Sequence, residues 1–184
     1  MSRPVVIVDY DPQWPIRYEE EKLRILKVIG DKVIDIQHVG STAVPGLGAK
    51  PIVDIMVAIY SLDDAATCFD PLAAIGYQYV PEYEAFIPER RFFVKGSPET
   101  RTHHLHMVER RSNFWRDHLL FRDFLRTHPE VARRYHALKR ELAQRYGTNR
   151  NGYTDAKGAF IEATITQAHI EAPNLLRQNP SDES

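Results

Sequence analysis

Residues 33–59, VIDIQHVGSTAVPGLGAKPIVDIMVAI, restrict the possible folds more than any other stretch of the chain. Two strand-like runs are joined by a Gly/Ser/Thr/Pro-rich connection. Val33 to Val39 alternates as a half-buried strand does. Ile52 to Ile59 is apolar and mostly β-branched, the mark of a strand covered on both faces. Asp54 interrupts this second run. A carboxylate there loses hydration that a cation, a metal ion or hydrogen-bond donors must replace. Period-two alternation places Ile52, Asp54, Met56 and Ala58 on one face and Val53, Ile55, Val57 and Ile59 on the other. The second face is expected to be core and the first to hold a site.

The connection has chemistry that complements the acid. Gly40, Ser41 and Thr42 follow a strand end directly, where backbone N–H groups and two hydroxyls can converge on an anion and Gly40 permits close approach. Pro45, Gly46 and Gly48 fix a tight return. Lys50 then enters the second strand four residues before Asp54 on the same side, roughly 13 Å along it. The same residues also suit an ordinary turn with a solvated lysine. Asp54 inside an apolar strand is what favours a donor-rich loop facing an acid.

Further along, Thr102, His104 and His106 share one face of a strand candidate, while His103, Leu105 and Met107 share the other, core-facing side. Imidazoles at i and i+2 on a strand converge on a divalent ion, and with Asp54 from a neighbouring strand they make a two-His, one-carboxylate set. They serve equally as donors to phosphate oxygens, as a proton relay, or as plain surface histidines on a half-exposed strand. Arg101, just before this strand, is placed to contact phosphate. Lys157 starts a helical stripe that otherwise packs inward, and either points into a cleft or snorkels to solvent. Arg122 and Asp123 are placed to pair with each other or to orient neighbours.

The chain has 184 residues, 43% hydrophobic and 27% charged, enough for one domain with a sizeable core. The N-terminus shows no signal-peptide pattern, and no apolar run approaches the roughly 18 residues of a membrane span, so a cytoplasmic protein is expected. Cys68, the single cysteine, is expected to pack. Charge is uneven: residues 1–109 carry 11 basic and 16 acidic side chains, whereas residues 110–150 carry 11 and 4, nearly all the basic ones arginine. Arginine's planar fork suits phosphate, so this segment either walls an anion-binding cleft or is a solvated helical face. The pI of about 6.7 argues against general nucleic-acid binding.

In order along the chain, Val5–Val8 reads as a short strand, and YDPQWP at 10–15 as a turn leading into a helix over 15–29. A second helix is expected over 62–75, capped by Ser61 or Asp63, closed by Gly76 and broken or offset by Pro71. Strand candidates follow at Tyr77–Tyr83, Arg91–Lys95 and His103–Glu109. From Asn113 the period turns helical, with Phe114, His118, Phe121 and Leu125 in one stripe and Val131, Tyr135, Leu138 and Leu142 in another after Pro129. A last helix is expected over 153–170. The reading is a single domain over 1–172 and a disordered tail over 173–184.

The stretches HVGSTAVPGLGAKPIVDIMV (38–57), HHLHMVE (103–109), FRDFLRTHPE (121–130) and YTDAK (153–157), with YDPQWP at the N-terminus, resemble the GrpB family. That family is assigned by similarity to the nucleotidyltransferase superfamily, whose fold is that of DNA polymerase β. The superfamily pattern is a Gly-Ser turn, two carboxylates one residue apart on the next strand, and a third on a later strand. Gly40, Ser41 and Asp54 match; the second acid position is Met56, which cannot hold a hard metal ion, and the later strand offers His104 and His106. The resemblance implies an α+β fold with a mixed, mostly antiparallel sheet, flanking helices and a C-terminal helical cap. It implies a nucleotide or phosphorylated small molecule bound at Gly40, Ser41, Thr42 and Lys50, and a divalent metal, Mg²⁺ before Zn²⁺ or Mn²⁺, on Asp54. Three functions stay open: nucleotidyl transfer, nucleotide binding without catalysis, and metal-dependent phosphoester hydrolysis using Asp54, His104 and His106.

Overall fold

Period-two alternation does produce strands here, and the helical period takes over on either side of them. In chain order the elements are α1 (Gln13–Ile29), β1 (Asp35–Val39), β2 (Val53–Ile59), α2 (Phe69–Ala74), β3 (Tyr77–Tyr79), β4 (Arg90–Lys95) and β5 (His103–Glu109). The helices α3 (Asn113–Thr127), α4 (Pro129–Tyr146), α5 (Arg150–Ala156) and α6 (Gly158–Gln178) follow, and short 3-10 turns lie at Ser41–Ala43, Leu62–Cys68 and Pro81–Tyr83. The computed structural model describes residues 4–178. The strands form one sheet in the order β1-β2-β5-β4-β3. β2 and β5 run parallel and the other pairings are antiparallel, so the fold is α+β with a mixed, mostly antiparallel sheet. The helices α5 and α6 close the chain as a C-terminal cap.

Each face of the sheet has its own apolar cluster. Val53, Ile55, Val57 and Ile59 of β2 pack with Phe93, Leu105 and Met107 against Trp14, Ile25 and Ile29 of α1 and Leu72 of α2. On the other face Met56 and Ala58 pack with Val39, Val108 and Trp115 of α3. Both faces of β2 are therefore covered, as its continuous apolar run requires. A third cluster joins α3, α4 and α6 to Val44 and Leu47 of the β1–β2 connection through Phe124, Leu125, Val131, Tyr135 and Ala168. That packing brings the helical half of the chain over the Gly40 turn. Register does the rest: Asp54 lies opposite His104, and Met56 opposite His106, across the parallel pair.

Several boundaries differ from the sequence reading, each for a local reason. The expected strand at Val5–Val8 is reduced to a bridge between Val8 and Ala49. The helix expected over 62–75 is a 3-10 turn followed by the six-residue α2, with Pro71, which has no N–H to donate, in the first turn of α2. The run Tyr77–Tyr83 stops as a strand at Tyr79, because Pro81 opens a 3-10 turn. The last helix is two helices, α5 and α6, meeting at Lys157 and Gly158. Helix α6 continues to Gln178, past the Pro173 at which a tail was expected to begin, and residues 179–184 of that segment lie outside the described residues. No described helix is long and apolar enough to cross a membrane.

Candidate functional site

Asp54 finds the partners that an acid in an apolar strand needs. Its Oδ1 lies 3.0 Å from Nδ1 of His104 and 3.6 Å from Nε2 of His106, and 28% of its side chain stays exposed. Burial by itself pushes the carboxyl up, but the hydrogen bonds from His104 and His106 outweigh it and hold the group well below the usual carboxylate range. His106 is deeper. Burial pushes its imidazole down to about 4 against the opposing pull of Asp54, so it is neutral at ordinary pH. Its other nitrogen, Nδ1, faces Nη1 of Arg90 at 3.3 Å. His118 of α3 sits beside this pair, with ring centres 6.3 Å apart from His106, and donates from Nδ1 to the carbonyl of Phe114 at 2.8 Å.

The Gly40 turn closes against the same acid. Gly40 has φ +71°, and a Cβ on it would stand 2.7 Å from Asp54 Oδ2, so both the backbone conformation and the approach of the carboxylate require glycine. Ser41, the next residue, accepts a hydrogen bond from Lys139 Nζ at 2.9 Å and is bonded to Tyr135 of α4. Lys139 also donates to the carbonyl of Gly48 and is only 2% exposed. Lys50 and Lys157 approach one ring, that of Tyr153, with Nζ 5.5 and 4.5 Å from its centre. Burial, then repulsion from Lys157 and Lys50, pushes Lys139 down to about 7; burial and Lys50 push Lys157 to about 8. Lys139 thus reaches Ser41, with Lys157 and Lys50 near enough to repel it, and neither Lys139 nor Lys157 is within 4 Å of a carboxylate among the described residues.

One expected contributor, Thr42, stands differently. The Thr42 side chain is buried and its hydroxyl is engaged with Nε2 of His38 at 2.9 Å, so Thr42 braces the turn from inside instead of offering its hydroxyl to the cleft. Arg101 stands in the connection into β5, one residue before Thr102, whose carbonyl accepts the Val53 N–H. The arginine-rich segment is largely structural at this end. Arg122 donates to the carbonyl of His38 and to Gln37, and Arg126 grips the carbonyl of Ala43 with two nitrogens at 2.9 and 2.8 Å. Lys139, Tyr135, Arg90 and His118 were not singled out from the sequence as members of the site. Lys139 had left a signal, because it lies within the stripe of Tyr135, Leu138 and Leu142 at the spacing of an inward-facing residue. Arg90 left none.

The donor set around Asp54 is a hydrogen-bond network. Met56 removes the neighbouring carboxylate, and among the described residues no three His, Cys, Asp or Glu side chains are arranged to hold a metal ion. His106 has a donor-only guanidinium against Nδ1, whereas a metal-bound imidazole donates its second N–H to an acceptor. What the arrangement offers is an imidazole, His104, oriented by Asp54, and a hydroxyl, Ser41, held by the buried Lys139 on the turn that packs against the same acid.

Comparison with known proteins places this chain among relatives. A family model described as GrpB protein matches residues 4–167. The UPF0157 protein YqkA of Bacillus subtilis is 39% identical over 167 residues, covering 91% of this chain and 48% of its own length; this chain therefore spans about half of that relative. The glutamate-rich protein GrpB of Alkalihalophilus pseudofirmus is 34% identical over 167 residues, covering 89% of this chain and 95% of its own. A crystal structure of the conserved protein GrpB from Enterococcus faecalis superposes with a TM-score of 0.79 at 32% identity, covering 89% of this chain and 96% of that one. At lower similarity, a dephospho-CoA kinase of Mycolicibacterium paratuberculosis is 30% identical over 187 residues, which cover 90% of this chain and 46% of the kinase.

Proposed function

The chain belongs to the GrpB family, and from its site we propose that it is a cytoplasmic nucleotidyltransferase acting on a small molecule. The observation that carries this reading is the buried Lys139 on Ser41, with Lys157 and Lys50 near enough to repel it, in a turn that packs against Asp54. A cation as buried as Lys139, with no carboxylate within 4 Å of it among the described residues, is unfavourable unless an anion arrives, and a polyphosphate supplies that anion. Mg²⁺ enters with the nucleotide, as part of the substrate. The relative named dephospho-CoA kinase makes coenzyme-A-type molecules a reasonable part of any screen. Its kinase name is not carried over, since this chain contains no Gly-x-x-x-x-Gly-Lys-Ser/Thr sequence.

Thermal shifts with MgATP, MgGTP, MgCTP, MgUTP, coenzyme A and dephospho-coenzyme A test the binding, and pyrophosphate release tests the transfer. A nucleotide at about a hundred times its Kd should stabilise the protein by roughly 2.7 kcal/mol. Lys139→Met should abolish that gain, while in the free protein the relief of a desolvated charge is set against the loss of its hydrogen bonds to Ser41 and Gly48. Equal stabilisation of wild type and Lys139→Met would refute the phosphate recess. Met56, where the second acid of the superfamily pattern would stand, favours one other reading: nucleotide binding without turnover, which predicts the thermal shift and no pyrophosphate. Stabilisation by Zn²⁺, Mn²⁺ or Mg²⁺ alone, without nucleotide, would instead favour phosphoester hydrolysis at Asp54, His104 and His106.

A further inference from the structure

The hydrogen bonds around Asp54 determine which nitrogen of each imidazole carries a proton. Arg90 opens β4 on the same sheet face as His106, 9% exposed, among the rings of Tyr83, Phe92 and Phe114. Its Nη1 lies 3.3 Å from His106 Nδ1. A guanidinium has five N–H donors and no acceptor, so His106 Nδ1 must be the acceptor and the ring proton sits on Nε2. That Nε2–H faces Asp54 Oδ1 at 3.6 Å. His104 meets the same oxygen with Nδ1 at 3.0 Å. An ionised carboxylate only accepts, so His104 carries its proton on Nδ1 and keeps a lone pair on Nε2. One carboxylate therefore orients two imidazoles in opposite tautomers, and Arg90 dictates the choice at His106.

We propose that His104 Nε2 is the general base of the transfer reaction, and that Arg90, acting through His106, is a positioning residue that keeps Asp54 in place behind it. In this step the proton of an acceptor hydroxyl moves to His104 Nε2 as its oxygen bonds to the α-phosphorus of the nucleotide. The bond from that phosphorus to the bridging oxygen breaks, and its electron pair leaves on pyrophosphate. Asp54 holds the resulting imidazolium, which returns its proton to solvent. Arg90 matters because a proton on His106 Nδ1 would turn the Nε2 lone pair toward Asp54 Oδ1. Two electron-rich atoms would then face each other, and the carboxylate would shift away from His104. Gly40, packed against Asp54 Oδ2, limits where it could go.

The tautomers are independent of the nucleotidyltransferase reading, whereas the base role rests on it, and the experiment separates the two. Long-range ¹H–¹⁵N correlation spectra of the ¹⁵N-labelled full chain at neutral pH, assigned with His104→Gln and His106→Gln, report the protonated nitrogen of each ring. The expected pattern is Nδ1–H for His104 and Nε2–H for His106. Arg90→Met should convert His106 to a mixture of tautomers, and Arg90→Lys, which is again donor-only, should restore Nε2–H. Should Arg90→Met not fold, the wild-type and Arg90→Lys spectra still decide the tautomers. A wild-type His104 protonated on Nε2, or a His106 protonated on Nδ1, overturns the proposal. Pyrophosphate release from MgATP, with water or glycerol as acceptor, tests the base: His104→Gln should slow it by about 10²- to 10⁴-fold with the MgATP thermal shift retained. Unchanged turnover in His104→Gln, or a nucleotide covalently attached to His104, overturns the base assignment. Loss of both shift and turnover in the wild type would count against nucleotidyl transfer itself while the spectra still rule on the Arg90 lock.

Discussion

Asp54 is held by three kinds of contact at once: an imidazole at 3.0 Å, a second at 3.6 Å, and a backbone that leaves room for its other oxygen because Gly40 has no side chain. Its charge is favoured in the folded protein, and this sets a sign for pH dependence. A carboxyl depressed by folding contributes stability that is complete above its ordinary pKa, near 3.8, and is lost as pH falls toward the lower folded value. Asp54→Asn removes a hydrogen-bonded charge without removing the shape. It should therefore destabilise the free protein at pH 7 by about 1.5 to 3 kcal/mol, the range for hydrogen bonds to charged groups. Denaturant melts of both proteins from pH 7 to pH 2 should show the difference shrinking below about pH 4, as the Asp54 carboxyl of the unfolded wild-type chain takes up a proton that the folded one does not. A difference that stays constant down to pH 2 would mean that the charge of Asp54 is not what the two histidines stabilise.

The β1–β2 connection is positioned by helices that come much later in the chain. Arg122 and Arg126 of α3 donate to the carbonyls of His38 and Ala43, and Lys139 of α4 donates to Ser41 and Gly48. Arg126→Ala should free the Ala43 carbonyl and loosen the turn locally, so amide hydrogen exchange should accelerate at residues 40–44 while β2 and β5 keep their protection. Uniform acceleration through the sheet would instead mark Arg126 as a determinant of global stability. The strands themselves were legible, because Asp54 breaks an apolar run and His104 and His106 alternate with Leu105 and Met107. The parallel pairing that sets Asp54 opposite His104 was not, since it depends on β3 and β4 being added beyond β5. Nor was the direction of Thr42, whose hydroxyl turns inward to a buried His38 stacked on Tyr18 with ring centres 4.8 Å apart. Those choices are made by packing between distant segments, and local pattern carries no trace of them.

Across the whole molecule the two unevenly charged parts of the sequence meet at the Gly40 turn. The acidic first part contains the Gly-Ser turn and Asp54, and the positive segment 110–150 folds back to supply Lys139, joined by Lys157 from the junction of α5 and α6. Burial and mutual repulsion leave Lys139 near 7 and Lys157 near 8, so at pH 8 both are only partly protonated in the free protein. A bound polyphosphate favours the charged form of each, so it should raise both values and draw protons from solution. Titration calorimetry with MgATP at pH 8, in buffers of different ionisation enthalpy, should reveal uptake of up to about one proton per lysine. The sign follows for affinity: it should fall as pH rises from about 7 to 9, because more of the binding energy is then spent on protonating the lysines. In Lys139→Met the uptake should shrink by the Lys139 share, leaving that of Lys157. Binding with no buffer dependence, or affinity that grows with pH over this range, would place the phosphates away from these lysines and with them the site itself.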